Sequence, residues 1–304
     1  MNYDQLWKAI YDNLDQHHYS IAVTDLKKIY ENDPSKKANQ LLVKALVADK
    51  SYLEAKEYML EMINDYRDSL EDFELMVKVF ILNQNFIQSQ IMINTVNDLK
   101  IKSILQQRLD KASNQYVEQH GDVVDQLTNA LYHIGGSKLS HQSETLVKAM
   151  NLPVKAYFNA AKGALTDPYL NPAIRFNLLD VLRELQLSDE IEISWIDGQL
   201  HQINLSQLVP LAEMKSSKAI FRQLEIRFGQ NSPDLLQNMV KTFNLFLAYL
   251  YPFSDQIISD YDRWITVAYD MQRGQRPDLK SMDSETKSIY EWQQKLLKLV
   301  DSIK

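Results

Sequence analysis

Apolar residues recur every three or four positions along most of the chain, a spacing that predicts amphipathic helices. The clearest stripes are Leu6, Ile10 and Leu14; Leu42 and Leu46; and Phe73, Met76, Val77 and Phe80. Only between residues 191 and 205 does the apolar spacing change to two. The pattern therefore predicts an all-α protein, at least about 60% helical, with one small β-hairpin in its C-terminal half.

The hairpin prediction rests on the alternation of apolar and polar residues on either side of Asp197-Gly198. A two-residue turn at Asp197-Gly198 would put the apolar residues of the first strand, such as Trp195, opposite polar partners. A three-residue loop over 196–198, with Gly198 left-handed, puts Trp195 on the same face as Ile203. We predict the three-residue loop, with the apolar face packed on helices because an isolated hairpin is marginal in water.

Prolines, glycines and small polar residues predict where other helices begin and end. A stop at Gly121, a cap at Asp122 and a loop at Gly135-Gly136 divide residues 99–150. Further helices are expected over about 153–165, 172–186, 217–228, 233–250, 254–273 and 283–302. Asn171-Pro172 is the strongest of these start signals, because an asparagine cap precedes proline in the first turn.

An internal repeat covers about residues 3 to 98, with spacings of 33 and then 34 residues. Each copy has an aromatic residue, a small residue three positions on and a large apolar residue four further. The copies are Tyr19, Ala22 and Leu26; Tyr52, Ala55 and Met59; and Phe86, Ser89 and Ile93. Each reads as the second helix of a pair, so the small residue is expected to be buried where two helices cross.

This repeat resembles the tetratricopeptide (TPR) pattern. The resemblance implies a right-handed array of helical hairpins, with the family's small residue at Ala22, Ala55 and Ser89 and its closing proline at Pro34. The family's small residue in the first helix of each pair is replaced. Those positions hold Ile10, Val43 and Val77.

The order of features along the chain is similar to that of uncharacterised TPR proteins of Gram-positive bacteria. The features are the TPR-like helices, the segment from Ala164 to Pro168, Asn171-Pro172 at the start of a helix, and a short hairpin. The resemblance implies a cytoplasmic protein with no assigned reaction. We expect TPR-like repeats over 1–98, further helical pairs over 99–190, the hairpin over 191–205 and a helical region over 206–304.

The composition and charge of the chain disfavour several classes of binding partner and exclude thiol chemistry. The chain of 304 residues has 33 basic and 40 acidic residues and a net charge of −7, which disfavours nucleic acid as a partner. Its seven glycines and eight prolines suit long helices, and the lack of cysteine excludes disulfides and thiol chemistry. The N-terminus lacks a signal-peptide pattern, and the longest apolar stretch, 243–253, is about half a membrane span. We expect a cytoplasmic protein that does not bind membranes.

No residue set forms a catalytic or metal-binding signature. The six histidines, none in a zinc-site spacing, are His17, His18, His120, His133, His141 and His201. Asp255, Asp260 and Asp262 lack the glycine and alternating ligands of a calcium loop, so we expect a solvated helix face. We predict no enzyme activity, no cofactor and no metal.

Ten aromatic residues between Phe221 and Tyr269 are expected in the core, with a docking surface as the alternative.

The TPR resemblance also implies a candidate binding site, because the first helix of each unit in such arrays lines a concave groove. The matching positions are Trp7, Tyr11, Gln40, Lys44, Glu74 and Lys78. Trp7 and Tyr11 suit an aromatic anchor for a peptide, with Lys44 and Lys78 available to a carboxylate. The family's Lys/Asn clamp for a C-terminal carboxylate is not reproduced, since Trp7 and Tyr11 stand where its first pair would be.

The sequence therefore predicts a protein-binding module, an adaptor or assembly factor that holds a protein or peptide segment in the groove. One alternative is a peptide-sensing regulator of the TPR type that lacks a DNA-binding domain, since repeats begin by residue 3 where such regulators carry one. Another alternative is an enzyme with an unrecognised site. The sequence indicates neither the partner's identity nor the oligomeric state.

Overall fold

A computed structural model describes residues 3–230, 232–274 and 282–301. The chain is mostly helical, at 76%, and its fifteen described α-helices accompany one small antiparallel sheet, so the predicted all-α class with a single hairpin is confirmed. The helices of the first half are α1 (Tyr3–Asp15), α2 (Tyr19–Asn32), α3 (Lys36–Ala48), α4 (Tyr52–Glu61), α5 (Leu70–Leu82), α6 (Phe86–Asn94), α7 (Leu99–Tyr132) and α8 (Leu139–Ala149).

The remaining elements surround the hairpin in the sequence. They are α9 (Val154–Leu165), α10 (Pro172–Glu184), β1 (Glu190–Ser194), β2 (Leu200–Asn204), α11 (Lys215–Phe228), α12 (Pro233–Leu250), α13 (Ser254–Ile257), α14 (Tyr261–Gln272) and α15 (Ser284–Asp301). In the part of the chain that the structure describes, no helix combines the length and apolar character needed to cross a membrane.

Contacts divide the chain into two compact units. The first unit contains Met1–Thr128 and Lys148–Tyr157, and the second contains Asn129–Val147 and Phe158–Lys304. Within the first unit, α1 to α6 pack in order, each helix against the next. The first helices α3 and α5 also contact one another directly.

The same turn joins the helices of each pair in the first unit. His17, Lys50 and Gln84 have φ angles of 60°, 63° and 60°, and they stand 33 and 34 residues apart. The next N–H donates to the carbonyl five residues back, at 2.8, 2.9 and 2.9 Å in the three turns. This is the Schellman helix ending, in which a left-handed residue lets the chain reverse at once. The 33- and 34-residue repeat is therefore present in the backbone as well as in the side chains.

The small residues of the repeat lie in the core. Ala22, Ala55 and Ser89 are all 0% exposed, so their predicted burial is confirmed. Ser89 keeps its hydroxyl satisfied by donating to the Asn85 carbonyl at 2.9 Å. Because no room remains around these Cβ atoms, a larger side chain would have to push two helices apart.

The predicted end of a helix at Gly121 is confirmed to within one residue. α7 consists of two helical segments joined by a kink at His120, whose backbone is non-helical (φ −135°, ψ 33°), and the second segment runs on to Tyr132. A kink at one residue separates the two segments without a loop between them.

The single helix predicted over 254–273 is wrong, because this segment forms two helices, α13 and α14. Ile258 leaves the helical region and is buried, and the Asp260 side chain accepts the Arg263 N–H to begin α14. Burying Ile258 and forming a new cap together favour the break over a continuous helix.

The acidic cluster is not the plain solvated helix face that the sequence suggested. Asp255 accepts the backbone N–H groups of Lys215 and Ser216 at 3.2 and 2.7 Å, which caps α11 from another part of the chain. Asp262 pairs with Arg227 at 2.7 Å. Two of the three carboxylates therefore tie α11 to the segment from α13 to α14.

The hairpin of the second unit has the predicted register. Ile191 pairs with Ile203 and Ile193 with His201, and Gly198 is left-handed at φ 84°. The Trp195 N–H donates to the Gln199 carbonyl at 3.0 Å, which closes a loop over 196–198. The predicted three-residue loop and its shared apolar face are confirmed.

Candidate functional site

The six predicted groove residues lie on the first helices α1, α3 and α5 of the three pairs, and we call this surface the first-helix face. Trp7 and Tyr11 stack with ring centroids 6.0 Å apart and planes at 27°. The Nζ of Lys37 lies 4.7 Å from the Trp7 ring centroid and 5.9 Å from that of Tyr11. Trp7 is half-buried and Tyr11 is 43% exposed, so the aromatic pair is accessible and is not part of the core.

Ion pairs connect the neighbouring first helices across this face. Lys44 of α3 pairs with Glu71 of α5 at 2.6 Å, and Glu74 of α5 pairs with Arg108 of α7 at 3.0 Å. Lys44 is therefore already neutralised, contrary to the expectation that it is available to a ligand carboxylate. Such exposed pairs contribute only about 0–1 kcal/mol each, so an incoming charged group can exchange with them.

Lys78 and Gln40 complete the first-helix face. Lys78 is exposed and forms no ion pair with a described residue. Gln40 carries an amide nitrogen that is buried and has no hydrogen-bond partner within the described residues.

Sequence reasoning missed Lys37, Glu71 and Arg108 on this face. A seven-residue spacing, two helical turns, separates Lys37 from Lys44 and Glu71 from Lys78. That spacing puts each pair on one face, so Lys37 and Glu71 were detectable in the sequence. Arg108 was not, because only packing brings α7 beside α5.

A second candidate site lies in the second unit, and we call it the Arg175 cleft. It has a volume of about 410 Å³. Three short segments and three helices line it: the loop at Gly135 and Ser137, residues 168–172, the hairpin end at residues 194–196 and Gly198, Gln142 of α8, Arg175 of α10 and Leu299 of α15. The Asp167-Pro168 and Asn171-Pro172 segments, which mark helix boundaries in the sequence, thus come together beside the hairpin.

Arg175 is the unusual residue of this cleft, because it is only 3% exposed. Its Nη2 donates to the Leu170 carbonyl at 3.2 Å, while Nε and Nη1 have no partner among the described residues. Burial lowers the pKa of the guanidinium to about 10, against an opposing effect of Asp167 and Asp197. At neutral pH the side chain is therefore a buried cation with two unused donors.

The sequence contains a signal that could have identified Arg175 as a candidate site residue. Arg175 stands three, four and seven positions before Leu178, Leu179 and Leu182, on the buried face of α10. A cation on the apolar face of a helix is uncommon unless it has a partner. Which partner it has depends on tertiary structure alone.

Aromatic side chains pack behind the cleft. Trp195 contacts Phe253 and Trp292 at centroid distances of 5.2 and 5.8 Å. His201 Nε2 lies 2.8 Å from Asp197 Oδ2, so one nitrogen of this hairpin histidine has a hydrogen-bond partner. Burial raises the pKa of Asp197, but hydrogen bonds from the Gln199 N–H and His201 outweigh it and hold that pKa below its usual value.

Half of the ten aromatic residues between Phe221 and Tyr269 lie in the core, and the other half are half-buried. Those in the core are Phe243, Phe246, Tyr249, Tyr251 and Trp264. The others, all half-buried, are Phe221, Phe228, Phe253, Tyr261 and Tyr269. None of the ten is strongly exposed, so the core interpretation is the one that the structure supports.

No group of three or more His, Asp or Glu side chains within the described residues could hold a metal ion. In comparisons with known proteins, no family model matches the chain, and neither curated proteins nor solved structures include a match. Evidence for the function therefore comes from the chain's own residues.

Proposed function

We propose that this protein is a TPR-like binding module that holds a segment of another protein on its first-helix face. The observation that carries the proposal is the accessible stack of Trp7 and Tyr11 with the Lys37 ammonium above it. Tryptophan and tyrosine are enriched at the energetic centres of protein interfaces, and a cation above such a ring is attracted to it.

The repeated turn supports the TPR-like arrangement. Left-handed residues at His17, Lys50 and Gln84 give three helix pairs one geometry, and the buried small residues Ala22 and Ala55 permit close helix crossings. Contact between α3 and α5 aligns first helices side by side, as in an array whose inner face binds a peptide.

The charges of the face favour a partner segment that carries negative charge beside an apolar side chain. Lys37 is next to the aromatic stack, and Lys78 lies further along on α5. An apolar anchor would cover Trp7 and Tyr11, and an acidic group beside it would pair with a lysine.

The test is affinity capture from a cell lysate with the intact protein, followed by measurement of the captured partner's affinity for variants. We expect Trp7→Ala with Tyr11→Ala to weaken binding by at least ~2 kcal/mol in total, since aromatic anchors dominate such interfaces. Lys44→Ala should cost less, because Lys44 is already paired with Glu71.

A matched control is Ile21→Ala with Leu53→Ala, which removes exposed apolar side chains from the second helices α2 and α4. Both double variants should keep the wild-type circular dichroism spectrum. Undiminished binding by the Trp7 and Tyr11 variant, or an equal loss in the control, would show that the first-helix face is not the binding site.

A further inference from the structure

The Arg175 cleft collects buried polar atoms that lack partners. Ten buried side-chain nitrogen or oxygen atoms in the described residues have no hydrogen-bond partner, and four of them belong to three residues lining this cleft. They are Nε and Nη1 of Arg175, Nε1 of Trp195 and Oε1 of Gln142. Buried polar groups are almost always satisfied, so such a concentration points to a missing partner.

A negative charge is what the cleft lacks most. Leaving a buried cation unpaired costs several kcal/mol, far more than a neutral donor left unsatisfied. The two nearby carboxylates do not supply the charge, because neither forms an ion pair with Arg175. Asp167 accepts the Tyr169 N–H at 2.8 Å, and Asp197 is held by His201 and the Gln199 N–H.

The backbone around Arg175 also favours an anion. Arg175 lies in the first turns of α10, and Asn171 and Pro172 at the start of that helix line the cleft. The N-terminal end of a helix of 13 residues carries partial positive charge. The helix end and the guanidinium therefore act in the same direction.

The same surroundings favour a single negative charge over a double one. Asp167 and Asp197 both interact electrostatically with Arg175, so a phosphate dianion would meet two carboxylates as well as one cation. A carboxylate brings one charge and matches the planar guanidinium. Gln142, in turn, offers an unpaired acceptor, which calls for an N–H on the ligand.

We propose that the Arg175 cleft binds a carboxylate that has an N–H donor beside it, the chemistry of an amino acid or of the last residue of a peptide. Arg175 pairs with the carboxylate, and Gln142 accepts the N–H. The volume of about 410 Å³ is within the range of small-ligand pockets, roughly 300–1,000 Å³, and accommodates a group of this size.

The test is isothermal titration calorimetry of the full chain with three sets of probes. The first set contains free amino acids, the second N-acetyl amino acids, and the third the matching N-acetyl amino acid amides, which lack the carboxylate. We expect saturable binding of at least one member of the first two sets and none of the third. Stronger binding of free amino acids identifies an amino-acid site, and stronger binding of the N-acetyl compounds identifies a peptide terminus.

Variants at Arg175 connect the binding to the cleft. Arg175→Met keeps the stem but removes the charge, and we expect it to weaken the Kd by at least about tenfold. Arg175→Lys keeps the charge without the planar fork and should recover only part of the affinity. The Arg175→Lys variant also allows the proposal to be tested if Arg175→Met misfolds, which circular dichroism would reveal. The Trp7→Ala, Tyr11→Ala variant should bind the probes as the wild type does.

Three outcomes would overturn the proposal. The first is that no carboxylate binds, which would mean that water completes the cleft. The second is that inorganic phosphate binds and carboxylates do not. The third is that a carboxylate binds equally well to the wild type and both folded Arg175 variants. None of these bears on the first-helix face, so the two sites succeed or fail separately.

Discussion

The two units of the chain differ in how many of their buried polar atoms lack a hydrogen-bond partner. Of the ten unpartnered buried atoms in the described residues, one, Gln40 Nε2, lies in the first unit and nine lie in the second. In the first unit, Asn39 is fully buried yet donates to the Tyr58 carbonyl and accepts from the Tyr66 hydroxyl, both at 2.8 Å. A regular array can satisfy its polar groups locally, since each helix meets the next in the same way.

The second unit joins unlike parts: a hairpin, loops and helices of different lengths. Their junctions leave polar atoms without protein partners, and four of these atoms belong to three residues that line one cleft. Regular packing therefore favours stability, whereas irregular junctions leave unsatisfied polar groups with which a ligand can form hydrogen bonds.

Asn39→Ala should give the largest loss of stability. The substitution leaves the Tyr66 hydroxyl and the Tyr58 carbonyl without partners, and each such group costs about 1–3 kcal/mol, so we expect a loss of about 3 kcal/mol. The measurement is the free energy of unfolding from urea denaturation. In a double-mutant cycle, Tyr66→Phe should cost less in the Asn39→Ala background than in the wild type.

Arg175→Met is the matched change in the second unit, and here we expect the opposite. Replacing an unpaired buried cation by an apolar side chain of similar length should leave unliganded stability within about 1 kcal/mol of wild type or raise it. A loss as large as that of Asn39→Ala would mean that Arg175 is satisfied, and the contrast between the two units would disappear.

Ala55→Leu should have the next largest effect. Ala55 is 0% exposed, and overpacking of this kind costs roughly 1–3 kcal/mol. The control is Glu57→Leu on the exposed side of the same helix, which should leave the melting temperature nearly unchanged. An unaltered melting temperature in Ala55→Leu would contradict close crossing of helices at the repeat's small residue.

Lys50→Gly should have the smallest effect on the free energy of unfolding, and it should stabilise the protein. Lys50 is left-handed at φ 63°, a conformation that glycine adopts without the steric cost of a Cβ, so we expect a gain of about 0.5–1 kcal/mol. Lys50→Ala, which retains the Cβ, should bring no such gain. The reverse change in the second unit, Gly198→Ala at φ 84°, should destabilise by a similar amount.

The repeat of 33 and 34 residues and the hairpin show how far local pattern determines structure. The spacing of 33 and 34 residues predicted which small residues are buried, and alternation around Gly198 predicted the strand register. Both predictions depend on periodicity alone, and a shift of one residue would turn every apolar side chain outward. The break at Ile258 could not be predicted in this way, because the burial of Ile258 and the cap at Asp260 compete with a continuous helix.

Most helices, the hairpin, the repeat and the lack of recognisable catalytic motifs could be predicted because they follow from the order and spacing of residues along the chain. Three contacts could not be predicted in this way: Lys37 over Trp7, the ion pair between Lys44 and Glu71, and the cleft that Arg175 shares with Trp195 and Gln142. The reason is physical: each of these contacts joins residues distant in the chain, and its geometry depends on how whole helices and loops pack.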